Sequence, residues 1–325
     1  MGDASKIRKS GVLMRKNHIV GKFFPVLFGG CVLAALTYYK MKFGVKLMES
    51  DSASDILYAY LLTNEGKLVS NNWYFSTELR ILDNELLFAL LFKMFPELSW
   101  WTIETIGTAI MNVIMGLASV LIAYKLELGY KSLWMFGFAL LPYGKSEYYY
   151  VLMHGCGYYV FAIIEVFIIL SLFLAGIDCV NKNKFQLVMV YICYLGLSLL
   201  IGMQGIRLLA NLYAPLLLTS IILFMYDFFS DKNIFSIKKI IFMLLRDKRV
   251  LLAVGGMCMA MAGYSVNILA LAKRYTWQQF NNLHWKAFSI DPVLTFFSEI
   301  FSNLGYIEEW GGYFRLGNSQ ICSVW

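Results

Sequence analysis

Charge is what this chain has least of. Only 15% of its 325 residues are Asp, Glu, Lys or Arg, while 59% are hydrophobic, and the mean hydropathy is +0.62. A soluble fold of this length cannot bury so much apolar side chain, which excludes a soluble globular protein and makes this a polytopic membrane protein. Metal-binding cysteine patterns are also missing. The six cysteines form no CxxC pair, and Cys31, Cys193 and Cys258 fall inside apolar runs, so neither a zinc site nor a disulfide framework is indicated. Cys156 and Cys322 fall on one predicted side of the membrane, and a bridge between them stays open. His154 and His284 show no metal-ligand spacing. There is no internal repeat and no low-complexity segment. A cleavable leader is not expected, because the charged lead-in is long and no small-residue cleavage site follows the first apolar run.

What is present is a series of apolar spans separated by short basic segments. The net charge is +7, but the bases sit between spans, so they face anionic lipid rather than nucleic acid. The N-terminal tail carries Lys6, Arg8, Lys9, Arg15, Lys16 and Lys22, which predicts a cytoplasmic N-terminus. Phe23–Tyr39 is the first span, close to the ~20 residues a bilayer requires. The spans that follow are Trp101–Tyr124, a short Leu133–Tyr143, Tyr158–Gly176, Phe185–Met203, Leu208–Tyr226 and Val250–Leu271. The expected fold is therefore an all-α transmembrane bundle of about seven spans. Its helical module covers 1–271 and is followed by an extracytoplasmic segment, 272–325. Pro215 predicts a kink in the sixth span. The basic stretch 231–249 predicts an amphipathic helix on the cytoplasmic surface.

Residues 40–98 form a long first outer loop. Within it, Asp51 or Ser52 can cap a helix that runs to Glu65 and stops at Gly66. Ile56, Leu57, Tyr60 and Leu61 make its apolar face, which predicts a helix lying along the membrane surface. Glu85–Phe95 is apolar but too short to cross alone, and Asp83, Asn84 and Lys93 interrupt the longer run, so an interfacial helix is expected there.

This topology places Glu49, Asp51, Asp55, Glu78, Arg80, His154, Arg207, Arg274 and His284 on one side. Glu49-Ser50-Asp51 is an acid pair just beyond the first span. A carboxylate there can act as a general base on a hydroxyl or help hold a divalent cation; the plainer account is a solvated pair. Asp55 shares a helical face with Asp51, and its plainer role is to favour the positive helix N-terminus. Arg207 sits in the Gly-rich corner Gly202–Arg207, where a guanidinium can grip a phosphate or simply reach lipid headgroups. Glu78 and Arg80 can pair with each other. Glu104 and Glu165 are the chief ionisable groups inside spans.

The acidic Glu49-Ser50-Asp51 motif soon after a first span, the interfacial helices after it and the alternating spans resemble the GT-C superfamily of membrane glycosyltransferases. The runs Asp51–Asp55, NWYFSTELR (72–80) and GMQGIRLLANLYAPLLL (202–218) also resemble a group of bacterial multispan proteins without an assigned activity. The GT-C resemblance implies an enzyme of the bacterial cytoplasmic membrane that builds cell-envelope polysaccharide. It would move a sugar from a polyprenyl-phosphate carrier to a glycan or lipid acceptor with inversion. Asp51, supported by Glu49, would take the acceptor proton. Arg207, with Arg80 or Arg274, would neutralise the departing phosphate. Asp55, Glu78 and His154 would line the substrate site. No motif calls for a cofactor beyond an optional divalent cation. GT-C enzymes often have more spans, and no basic segment or closing helix precedes Trp325, which leaves a truncated chain open. The competing expectations are a flippase or transporter for a lipid-linked precursor, which would depend on Glu104 or Glu165, and a non-catalytic membrane partner.

Overall fold

The computed structural model describes residues 3–47, 50–75, 79, 81–141, 157–178, 183–230, 237–277 and 290. Almost all of this is helix. In chain order the helices are α1 (Asp3–Phe43), α2 (Ser50–Glu65), α3 (Asn84–Met94), α4 (Trp100–Lys125), α5 (Trp134–Leu140), α6 (Gly157–Ile177), α7 (Lys184–Gly202), α8 (Ala214–Ser230), α9 (Ile237–Leu244) and α10 (Lys248–Val266). Two short strands, β1 (Tyr74–Phe75) and β2 (Thr276–Trp277), pair in parallel.

Among the described residues, six helical stretches are long and apolar enough to cross a membrane: Phe23–Lys46, Trp100–Lys125, Tyr159–Ile177, Lys184–Gly202, Leu209–Ser230 and Lys248–Leu271. Large apolar side chains such as Phe185, Ile192, Leu218, Tyr226 and Leu269 point away from the protein. A soluble protein would not leave so much apolar surface open; lipid tails cover it at no cost. The chain is thus a multi-pass membrane protein.

Side-chain contacts give each helix its direction. Lys40 near the end of α1 reaches Glu104 at the start of α4, and Leu36 shares a cluster with Met111, so α1 and α4 are antiparallel. Tyr191 of α7 donates to the Gly176 carbonyl of α6, Phe173 meets Tyr194, and Gln204 meets Glu165, so α6 and α7 are antiparallel too. Tyr194 donates to the Leu252 carbonyl at 3.2 Å, and Gly263 lies on the Leu199 carbonyl, so α7 and α10 run the same way. The backbones approach so closely there that Gly202 and Gly263 leave no room for a Cβ. These contacts define two ends of the bundle: one carries Lys46, Trp100 and Gln204, the other Lys125, Ile177 and Lys184.

The expected third span, Leu133–Tyr143, is a helix of only seven residues, about 10 Å long. Ser119 of α4 donates to the Met135 carbonyl at 3.0 Å, Phe136 fills the gap between Gly29 and Gly116, and Leu140 reaches Leu36 and Met111. So α5 climbs antiparallel to α4 through part of the bundle, and residues 142–156 lie outside the described residues.

Other local expectations meet the structure with adjustments. α2 ends at Glu65, and Gly66 follows with φ of 63°, the left-handed conformation that suits glycine. Its buried face is Ile56, Tyr58, Ala59 and Leu62, whereas Leu57 and Tyr60 are exposed. The face is rotated from the expected one because α2 packs on α3, with Ile56 and Ala59 against Phe88, Leu91 and Phe92. The kink expected at Pro215 is a π-helical turn over Leu209–Tyr213. Pro215 has no N–H to give the Asn211 carbonyl, and the ladder slips so that the Ala214 N–H reaches Leu209. Among the described residues, Cys31, Cys193 and Cys258 are free thiols.

Candidate functional site

The polar groups of the Gln204 end converge on the start of α3. Asp83 caps that helix, its Oδ1 accepting from the Asn84 N–H at 2.8 Å. The bond goes to the N1 amide rather than to the N2 or N3 amide of the usual N-cap; it still satisfies a donor with no partner inside the helix and places a carboxylate at the positive end. The cap holds Asn84 beneath α2, where it is fully buried and its Nδ2 donates to Asp55 Oδ2 at 3.1 Å. Asp83 and Glu85 on either side are buried as well.

From α3 the polar groups continue into the bundle. α3 packs against α6, which carries Glu165. Glu165 Oε1 accepts from Gln204 Nε2 at 2.6 Å. Gln204 stands in the tight corner after α7, where Gly205 takes φ of 126°. Beside it, the Met203 carbonyl accepts from Asn267 Nδ2, and that buried amide also donates to the Leu79 carbonyl at 2.8 Å. Leu79 leads back to Asp83 along the chain. The hydrogen bonds Asp55–Asn84, Glu165–Gln204 and Asn267–Leu79, with Asp83 and Met203 next to them in the chain, thus make up a set of contacts, the polar ring, which links α2 to α3, α6 to the corner, and the end of α10 to Leu79.

An aromatic shelf adjoins the ring at Leu79. Tyr58, Phe75 and Leu79 pack together with Trp73 and Tyr275, and Tyr58 lies 5.1 Å from Trp73 and 5.3 Å from Phe75, centroid to centroid. Tyr58 OH accepts from the Ser70 N–H at 3.2 Å. Burial pushes the Tyr58 phenol up to about 12, so it stays neutral. Nearby, Glu65 accepts from Asn72 at 2.7 Å and Ser70 at 3.0 Å, and hydrogen bonding by Asn72 holds its carboxyl below the usual value. The β1–β2 pair, Tyr74 opposite Thr276 and Phe75 opposite Trp277, brings the segment after α10 onto this shelf.

A second buried charge lies apart from the ring. Lys40 Nζ donates to Glu104 Oε1 at 2.9 Å and Thr108 Oγ1 at 3.0 Å, and sits 5.6 Å from the Trp101 ring. Lys40 and Glu104 are both buried. The arrangement ties α1 to α4 and pairs the two charges through Glu104 Oε1, while Glu104 Oε2 has no hydrogen-bond partner among the described residues.

The residues expected to act together are only partly assembled. Asp55 is in the ring. Asp51 is exposed, one turn earlier in the first turn of α2, and not its cap. Arg207 is half-buried, three residues beyond Gln204 in the same corner. Arg274 is exposed, with its guanidinium 5.9 Å from the Tyr275 ring. Glu49, Glu78, Arg80, His154 and His284 lie outside the described residues. For the optional divalent cation, no three His, Cys, Asp or Glu side chains among the described residues are grouped to hold one.

Sequence reasoning passed over Asn84, Gln204 and Asn267. Their signal was weak: an amide beside an acid in an apolar run, or at the end of a span. Comparison with protein-family models, with curated proteins and with solved structures finds no match for this chain.

Proposed function

We propose that the chain is a membrane glycosyltransferase of GT-C type, working at the outer face of a bacterial cytoplasmic membrane, with the N-terminus inside and about seven passes. The observation that carries the reading is the position of α2. Its first turn presents Asp51 to solvent, and one turn later Asp55 is anchored to the buried polar ring beneath. An exposed acid one turn from the Asp55–Asn84 contact is placed to act on a hydroxyl acceptor while the donor's lipid stays in the bilayer.

The seven-pass layout supports that sidedness. α4 and α6 run in the same direction, so the chain between Lys125 and Gly157 has to climb the bundle, and α5 makes the first part of that climb. The β1–β2 pair then puts the segment after α10 at the end that holds α2, as an odd number of passes requires. In the proposed reaction Asp51 accepts the acceptor's proton, the hydroxyl oxygen bonds to the anomeric carbon, and the carbon–oxygen bond to the lipid phosphate breaks with inversion. Arg207, with Arg80 or Arg274, neutralises the phosphate that leaves.

The test is transfer of labelled sugar from lipid-linked donors to envelope glycan in membranes carrying wild-type or Asp51→Asn protein at equal levels. Loss of a general base predicts a fall of about 10²–10⁴-fold. Unchanged transfer in Asp51→Asn would rule the reading out. A transporter is favoured by two acids within the spans, the buried Glu104 and the half-buried Glu165, each with one enclosed oxygen that has no hydrogen-bond partner among the described residues. It predicts lipid-precursor flipping that depends on Glu165 and not on Asp51.

A further inference from the structure

The corner between α8 and α10 carries apolar and basic groups on one open surface. α9 (Ile237–Leu244) lies between the end of α8 at Ser230 and the start of α10 at Lys248. Ile240 and Leu244, one turn apart, pack on Phe224 and Phe228 of α8 and on Val250 of α10. Phe224 stands roughly 9 Å inside the end of α8, so α9 leans on the last two turns of a membrane-spanning helix and does not project beyond it. The rest of its surface is open: Ile241, Phe242 and Leu245 are each more than half exposed.

Bases share that surface. Phe242 and Arg246 stand one turn apart, and the Arg246 guanidinium lies 3.9 Å from the Phe242 ring centroid. Lys248, at the start of α10, is exposed as well. The described acids of this corner are already taken. Arg249 holds both Asp227 and Asp247 at 2.8 Å, and Asp247 also caps α10 by accepting from the Arg249 and Val250 N–H groups. Arg246 and Lys248 form no ion pair among the described residues.

We propose that α9 and the first turn of α10 are a docking surface for anionic phospholipid, with Ile241, Phe242 and Leu245 among the acyl chains and Arg246 and Lys248 on the headgroup phosphates. Neither water nor hydrocarbon suits this surface alone. Water leaves three large apolar side chains exposed, and hydrocarbon strands two charges. The layer where acyl chains meet phosphate covers both. The two bases set the choice of lipid: a zwitterionic headgroup cancels its own charge, whereas an anionic one supplies the charge that the paired acids do not. The inference rests on the chain's being a membrane protein and not on the transferase reading.

The experiment places full-length protein, one chain per disc, in nanodiscs of phosphatidylcholine alone or of equal parts phosphatidylcholine and phosphatidylglycerol. Amide hydrogen exchange is followed by mass spectrometry. Each base near an anionic surface contributes about fivefold, so the mixed discs slow exchange over 239–246 by roughly 25-fold, and added salt shrinks the difference. The double variant Arg246→Gln with Lys248→Gln removes the difference. Lys93→Gln, on α3 at the other end of the bundle, keeps it. Exchange over 199–202, where α7 meets α10, reports that both variants fold. Equal rates in the two kinds of disc overturn the proposal and leave the face to hydrocarbon contact only. A difference that survives in the double variant overturns it too. So does slowing that follows two chains per disc and not lipid composition, which gives the face to a second copy.

Discussion

Asn84 donates to the Asp55 carboxylate across 29 residues of chain, and this contact joins Asp55 of α2 to the buried start of α3. Asn84→Ala removes the donor and leaves Asp55 half-buried without it. A hydrogen bond to a charged group predicts a loss of about 1.5–3 kcal/mol. Asn84→Asp costs as much or more, because it sets a second carboxylate against the first. Denaturant titration of both variants checks this; a change within about 0.5 kcal/mol for both would contradict it.

The Lys40–Glu104 pair predicts unequal outcomes for removing one charge and for removing both. Lys40→Ala strands a buried carboxylate between α1 and α4 and destabilises by about 3–5 kcal/mol. The double change Lys40→Met with Glu104→Leu removes both charges and keeps the volume, and is close to neutral. Unfolding midpoints of the two variants decide it. If the double change is as damaging as the single one, the pair does more than hold the helices together.

Where α7 and α10 cross, Gly202 lies on the Ala260 backbone and Gly263 on the Leu199 carbonyl. Backbone cannot step aside as a side-chain tip can, so Gly202→Ala or Gly263→Ala costs about 1–3 kcal/mol. Gly30 of α1 meets nothing within 4 Å, and Gly30→Ala is the control that leaves stability unchanged or slightly raised. The ranking of the three midpoints is the check.

Asp247 links stability to pH. Burial works to raise its carboxyl, but the Arg249 guanidinium and the N–H groups of Arg249 and Val250 outweigh it and hold the group below its ordinary 3.8. A depressed carboxylate contributes stability above its unfolded value and loses that contribution as the pH falls through the folded value. Glu65, lowered first by Asn72, has the same sign. The unfolding midpoint therefore falls on acidification below about pH 4, and Asp247→Asn flattens that slope while lowering the plateau above it. A slope unchanged by the substitution would contradict the assignment.

Six of the seven expected spans coincide with helices long and apolar enough to cross a membrane, because each is a continuous apolar run bounded by bases or by a Gly or Pro, and both signals are local; Leu133–Tyr143 does not. The end of α2 at Gly66 and the disturbance before Pro215 were legible for the same reason. The polar ring was not. Its contacts join Asp55 to Asn84, Glu165 to Gln204 and Asn267 to Leu79, and the last pair is 188 residues apart. Periodicity says which face of a helix is apolar, not which helix that face will meet. For that reason the α2 face was placed a fraction of a turn away from the one that α3 covers. Lys40 shows the same limit: it ends an apolar run and so suggests a loop, yet it is buried because Glu104 stands opposite.

The most direct test of the transferase reading uses purified protein with a set of polyprenyl-phosphate hexoses and measures release of the free polyprenyl phosphate in the presence of acceptor glycan. The account predicts that at least one donor is cleaved, and that Asp51→Asn, with its unfolding midpoint unchanged, lowers the rate by about 10²–10⁴-fold. Cleavage that proceeds equally well in Asp51→Asn, or no cleavage of any donor by the folded wild type, would contradict it.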